Sequence, residues 1–267
     1  MQTTSIIISR RTENWQALSS KFNKVGIVGL PPLAVIRFLN DRQIEIHDLD
    51  ALLVTEDMDN ASAYLPKVYC AILRTVVLNA ISLRLDAIFI DVGPGKCDSA
   101  FHVAEILADT LPIPVIRTEN LDNQGFGYPI CLSNMALTQK FLDIVEGVKS
   151  ADPRPAILPT CEPTAGYWGV PPRDFSILSL FPDSTHIYGW TRCMENKTPG
   201  AGDLEYHYNP DVPTVFFAQS FCAKTALARH LARLHPQALY LDVDVTAGSS
   251  AKAKIQAFLS LTEKRSC

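Results

Sequence analysis

The chain has 267 residues, 47% of them hydrophobic and 19% charged, with a net charge of −4. These figures suit a soluble globular protein of one large or two ordinary domains, and without a basic excess they argue against a general nucleic-acid binder. The longest apolar run, residues 71–85, is interrupted by Arg74, Asn79 and Arg84, so neither a membrane span nor a membrane partner is expected.

The first residues, Met1-Gln2-Thr3-Thr4-Ser5, lack a basic n-region, and Arg10-Arg11 follow only a short apolar run, so no secretory leader is expected. Val25-Gly26-Ile27-Val28-Gly29 is a short buried-strand pattern, followed by a helical segment over 33–39. Ala51-Leu52-Leu53-Val54-Thr55 predicts another strand. Pro66 suits the first turn of a long helix running to about Leu85. Asp86-Ala87-Ile88-Phe89-Ile90-Asp91-Val92 is the clearest parallel strand, stopped by Gly93-Pro94-Gly95. Asp98 or Ser99 caps the next helix, Pro114-Val115-Ile116-Arg117 gives a further strand, and a helix over 132–148 follows.

Ala151-Asp152-Pro153-Arg154-Pro155 is the best linker, dividing the chain into lobes 1–152 and 153–267 and offering a hinge. Beyond it strands are predicted near 156–160, 185–190, 214–219 and 238–243, with helices near 174–181, 223–235 and 250–263. The stretch 194–213, rich in glycine, proline and tyrosine, is predicted as a loop. Repeated βα units imply an α/β fold of two Rossmann-like lobes with parallel sheets flanked by helices. No short-period repeat is expected, and the halves share an alternation rather than a motif.

On this layout Cys161, Cys193 and Cys222 each end a predicted strand, one βα unit apart. Ligands of open α/β sheets bind outside the carboxyl ends of the strands, and converging thiolates there suit an iron–sulfur cluster or another thiophilic metal. Buried packing cysteines are the plain alternative. Cys222 also precedes a predicted helix, whose N-terminus favours a thiolate. Seven cysteines, an odd number, do not suit a disulfide framework and point to a reducing cytoplasm.

The run Cys161-Glu162-Pro163, then Leu180-Phe181-Pro182-Asp183-Ser184-Thr185, then Tyr188-Gly189-Trp190-Thr191-Arg192-Cys193 resembles a segment of hybrid-cluster proteins and carbon monoxide dehydrogenases. Pro213-Thr214-Val215-Phe216-Phe217-Ala218-Gln219-Ser220-Phe221-Cys222 continues the likeness, and nitrogenase component proteins are similar in a looser way. The resemblance covers about residues 156–235 and implies a cluster-bearing Rossmann-like domain. It departs from the family where Thr160 and Arg192 replace the glycines that usually precede the first two cysteines. An upstream cysteine-rich motif is also absent.

In the first half, Cys97 and Cys131 begin predicted helices, and Cys97 is the better candidate to join the metal ligands. Gly93, Gly95 and Lys96 could cradle an anion, because glycines expose backbone N–H groups, although the turn lacks P-loop spacing. Gly26-Ile27-Val28-Gly29-Leu30-Pro31-Pro32 lacks the three-glycine dinucleotide pattern; Asp48 stands near the place of a ribose-binding acid, but NAD is not expected. His186 and His102 read as packing histidines more readily than as ligands. Glu162, Asp174 and Arg192 are candidates for a base or outer partner, and Tyr167, Trp168, Trp190, Tyr206 and Tyr208 for a pocket wall.

Two functions with chemistry follow, beside a third reading as an interaction scaffold with none. The first is a cytoplasmic iron–sulfur or metal-binding protein, an oxidoreductase or cofactor-maturation factor, with Cys161, Cys193, Cys222 and Cys97 as ligands. Its partner would be a small molecule or a redox or maturation protein, and a homodimer is compatible with the sequence. The alternative is a metal-free α/β enzyme or binding protein for an anionic small molecule, held by Gly93, Gly95 and Lys96 in a cleft between the lobes.

Overall fold

A computed structural model describes residues 19–51, 53–54, 57–123, 125–127, 129–152 and 158–263. The expectations for the amino terminus, for Leu52 and Thr55, and for residues 153–157 of the linker and the strand after it lie outside these residues. The fold is α/β, with two four-stranded, all-parallel sheets flanked by helices, as two Rossmann-like lobes require. Two compact units contain them. One runs to Gly125 and adds residues 147–152 and Lys197–Ala201; the other holds Phe126–Glu146, the chain between the linker and Asn196, and the chain from Gly202. No described helix is long and apolar enough to cross a membrane.

In the first unit, β1 (Lys24–Val28), β2 (Glu45–Asp48), β3 (Ala87–Asp91) and β4 (Val115–Thr118) are ordered β2-β1-β3-β4. Helices α1 (Leu33–Asp41), α2 (Ala71–Ser82) and α3 (Asp98–Thr110) connect them. Every residue of β3 is buried, as a central strand covered on both faces demands. The second strand is Glu45–Asp48, and Ala51, Leu53 and Val54, the described residues of the expected strand, are not in one; Glu45 and His47 interrupt the apolar pattern because β2 is an edge strand, with Glu45 exposed. The long helix expected from Pro66 begins only at Ala71. The chain before it forms a 3-10 turn, Met58–Ala63, whose start is capped by Asp57. Helix α4 (Leu137–Gly147) follows a separate 3-10 turn, Pro129–Leu132, so the predicted helix over 132–148 is split.

In the second unit, β5 (Gly166–Gly169), β6 (His186–Tyr188), β7 (Thr214–Gln219) and β8 (Ala238–Val243) are ordered β6-β5-β7-β8. Helices α5 (Trp190–Asn196), α6 (Gly202–Tyr206), α7 (Lys224–Leu234) and α8 (Ser249–Glu263) complete it. The expected loop over 194–213 therefore contains the end of α5 and all of α6. Strand β5 was missed because aromatics and glycines replace the usual aliphatic run. Its Tyr167 stacks on Phe217 at 5.6 Å and meets Phe141 edge-on at 5.0 Å, while Trp168 stacks on Phe216 at 5.9 Å. Such ring pairs add about 0.5–1.5 kcal/mol each beyond burial. The Trp168 indole donates to the Glu205 carbonyl at 2.8 Å, so its polar edge is also satisfied.

The two sheets are one unit written twice. Gly26 pairs with His47 on one side and Ile88 on the other; Gly166 pairs with His186 and Thr214. Aligning these registers superposes Gly26-Ile27-Val28-Gly29-Leu30-Pro31-Pro32 on Gly166-Tyr167-Trp168-Gly169-Val170-Pro171-Pro172, with two glycines and two prolines identical. The halves thus share a motif as well as an alternation. At Gly166 the reason for glycine is steric, since a Cβ would collide with the Thr214 hydroxyl and lie 2.9 Å from the Tyr188 ring. Replacing Gly166 by Ala should cost about 1–3 kcal/mol through overpacking. Gly202→Ala, where a Cβ meets nothing within 4 Å, should leave stability unchanged; urea unfolding of both variants measures the difference.

Candidate functional site

In an open parallel sheet, the crevice for a ligand lies where neighbouring strands connect in opposite directions. In the first unit that point is between the carboxyl ends of β1 and β3. Gly29 leaves β1 with φ of 74°, a left-handed turn that glycine adopts without a Cβ clash. Strand β3 ends in Asp91, whose carboxyl is fully buried. Its Oδ1 accepts the Asn120 backbone N–H at 2.9 Å and, more weakly, that of Gly93 at 3.4 Å. The Lys96 ammonium stands 3.6 Å from Oδ2, with its side chain almost wholly buried. Burial pushes the Asp91 carboxyl up to about 6, against the lowering pull of Lys96 and the two backbone donors.

The turn expected to cradle an anion is shaped by this pair. Gly93 is glycine because a Cβ would stand 2.9 Å from the Glu119 Cα and 3.0 Å from the Asn120 nitrogen. Its own N–H faces Asp91. Gly95, at φ of 80°, closes the turn and sends Lys96 back across Gly29, where a Cβ would meet the Lys96 Nζ at 2.8 Å. The donors that would seat a phosphate are also taken. The Gly29 N–H donates to Asp50 Oδ2 at 2.6 Å, and the Leu33 N–H, opening α1, donates to Asp122 Oδ2 at 2.9 Å. Asp48 ends β2, buried, and accepts the Asp50 N–H at 3.0 Å.

The cysteines stand elsewhere. Cys161 does not end a strand: it precedes β5, and Thr160 makes only an isolated antiparallel bridge to Ser133. It therefore lies at the amino end of the second sheet, where His186, the first residue of β6, donates from Nε2 to the Cys161 carbonyl at 2.8 Å. The Cys161 Sγ is 3.8 Å from the same nitrogen. Burial holds His186 below the ordinary histidine range. Cys193 lies inside α5, with no exposed surface, because β6 stops at Tyr188 and Gly189 turns the chain into a helix. Cys222 does follow a strand, in the turn from β7 to α7, half-buried. Cys97 is the residue before α3 and makes no capping bond. Among the described residues, no three histidine, cysteine, aspartate or glutamate side chains are gathered to hold a metal ion.

The other candidates have structural partners. Asp174 caps the 3-10 turn Phe175–Leu180 and accepts the Ala247 N–H at 3.1 Å. Arg192 pairs with Glu195, whose other oxygen accepts the Ile130 N–H at 2.6 Å beside the fully buried Cys131. Burial pushes the Cys131 thiol well up. Glu162 and His102 are exposed. Tyr167 and Trp168 fill the two faces of β5, whereas Tyr206 is exposed. Trp190 lies beneath Lys224, 4.4 Å from its ring centre, and Tyr208 packs edge-on against Phe216. Missed in the sequence were Asp91, Asp50, Asn120 and Asp122. The available signal was an acid closing the otherwise apolar Ala87-Ile88-Phe89-Ile90.

Two outcomes follow for the native protein. A carboxyl that titrates higher folded than unfolded binds its proton more tightly when folded, so its contribution to stability is complete in acid and is lost as pH rises from about 4 to about 6. Relative to Asp91→Asn, the parent should lose on the order of 3 kcal/mol over that interval, read from unfolding curves at each pH. A thiol reagent with peptide mapping should label Cys97, Cys161 and Cys222 and spare Cys131 and Cys193, which have no exposed surface. No family model matches this chain, and no curated protein matches it.

Proposed function

We propose that the first unit is a small-molecule enzyme whose acid–base group is Asp91 and whose charge-stabilising partner is Lys96. One observation carries this reading: a buried carboxyl at the ligand-binding edge of a parallel sheet is pushed up to about 6, close to the pH at which proton transfer both ways is easiest. Such a carboxyl can give a proton to a bound substrate and recover it. The charge left on Asp91 when the proton is given is faced by the Lys96 ammonium, 3.6 Å from Oδ2, whose flexible four-carbon stem also lets it reach a substrate carboxylate or carbonyl oxygen. The substrate is a carboxylate or carbonyl compound rather than a phosphate ester, because Asp50 and Asp122 already occupy the backbone donors beside the crevice.

The iron–sulfur and oxidoreductase reading has no assembled thiolate set behind it among the described residues. Iron and acid-labile sulfide in anaerobically purified protein would restore it; their absence at stoichiometric levels is the expected result.

A ligand-observed NMR screen of small carboxylates and carbonyl compounds against the full chain tests the proposal. Compounds that bind should lose at least tenfold in affinity with Lys96→Met, about the loss of one charge-assisted hydrogen bond. Asp91→Asn should still bind them while no longer exchanging or converting them. Equal binding to the parent and to Lys96→Met would show that the crevice is not the site.

A further inference from the structure

Asp91 is held by a residue that carries no charge of its own. Asn120 is fully buried, two residues beyond β4. Its backbone N–H donates to Asp91 Oδ1 at 2.9 Å. Its side-chain amide donates to the Leu30 carbonyl at 2.9 Å and to the Lys197 carbonyl at 3.4 Å, and its Oδ1 accepts the Asp122 N–H at 2.8 Å. Asp122 in turn accepts from Leu33 at the start of α1. One amide thus ties together the loop after β1, the loop after β4 and the strap Lys197–Ala201.

The strap is fitted to this task. Lys197 has φ of 60°, a left-handed conformation that costs a non-glycine residue free energy and persists only where neighbours enforce it. Its ammonium donates to the Gly147 carbonyl, and Thr198 is fully buried. Gly200 lies against the Pro94 ring, where a Cβ would stand 3.3 Å from the Pro94 Cβ. The strap therefore lies against the turn that carries Lys96.

We propose that Asn120 is the positioning residue of Asp91: by clamping the β1 loop and the strap with its amide, it keeps its own N–H on the Asp91 carboxyl. This rests on the acid–base role of Asp91. A carboxylate that loses a backbone donor in a buried place is less stable, and its proton is held more tightly. The charged group recorded against the carboxyl is Lys96 from its own turn; Asp50 beyond β2 and Asp122 beyond β4 are engaged by the Gly29 and Leu33 N–H groups.

The test is carboxyl-carbon NMR of Asp91 in the full chain across pH 4–8, in the parent and in Asn120→Ala. The parent midpoint should fall near 6, and Asn120→Ala should move it upward by about one pH unit, with the far-ultraviolet spectrum unchanged. Asn120→Ser, which keeps one donor, should give a smaller upward shift and serves if the alanine variant does not fold. A midpoint that is unchanged or lowered in a folded variant overturns the positioning role and leaves the acid–base reading standing. A parent midpoint in the ordinary carboxylate range overturns the acid–base reading itself.

Discussion

A carboxylate buried at the end of an apolar strand must find polar partners or give up its charge, and the first unit is arranged around that requirement. Asp91 closes a strand whose every residue is buried, so water does not solvate it, and its partners among the described residues are two backbone N–H groups and one ammonium. The cost of desolvation exceeds what these partners return, and the proton affinity rises. The turn Gly93-Pro94-Gly95-Lys96 looks like an anion cradle when read as a string, but its geometry serves this internal anion. Gly93 allows the backbone to approach the β4 loop, and Gly95 reverses the chain so that Lys96 lies over Gly29.

The duplicated architecture sharpens the contrast between the units. Ile27 pairs with Asp48, and its counterpart Tyr167 pairs with Ile187. Val28 pairs with Ile90, so Asp91 stands level with Gly29; the counterpart Gly169 pairs with Phe217. Five residues beyond Asp91 is Lys96, and five beyond Phe217 is Cys222. The second unit therefore keeps the glycines and prolines that shape the chain after its first strand while replacing the acids and the lysine with apolar groups and a thiol. Shape at these positions is set by backbone geometry, which glycine and proline control directly; charge is free to diverge once burial and hydrogen bonding are satisfied another way. In the second unit that other way is aromatic stacking around Tyr167 and Trp168.

The cysteines illustrate a limit of position along the chain as a guide to function. A thiol placed at a strand end by sequence may belong to either edge of a sheet, and the error of one element moves it across the full length of the strand. Cys161 came before a strand that its aromatic and glycine content concealed, so it fell at the amino edge. Cys193 followed a strand that stopped at Tyr188, five residues earlier than a thiol at its carboxyl end would need, and the helix begun at Trp190 carried it into the core. Of the three expected at strand ends, Cys222 stands where the spacing put it.

The sequence by itself determined the α/β class, the parallel sheets and most central strands, because β1, β3 and β7 are encoded by local runs of apolar residues whose period needs no distant partner. It also contained the repeated Gly-x-x-Gly-x-Pro-Pro, legible only once strand registers showed which glycines are equivalent. Tertiary structure decided the rest. Whether Glu45-Ile46-His47-Asp48 is a strand depends on β1 beside it, and whether Gly93 serves a ligand or a neighbouring loop depends on Glu119 and Asn120 nearly thirty residues away. The proton affinity of Asp91 is a property of burial and of three donors, two from the turn that follows it and one from the loop after β4, so no pattern in the residues around it could have announced it.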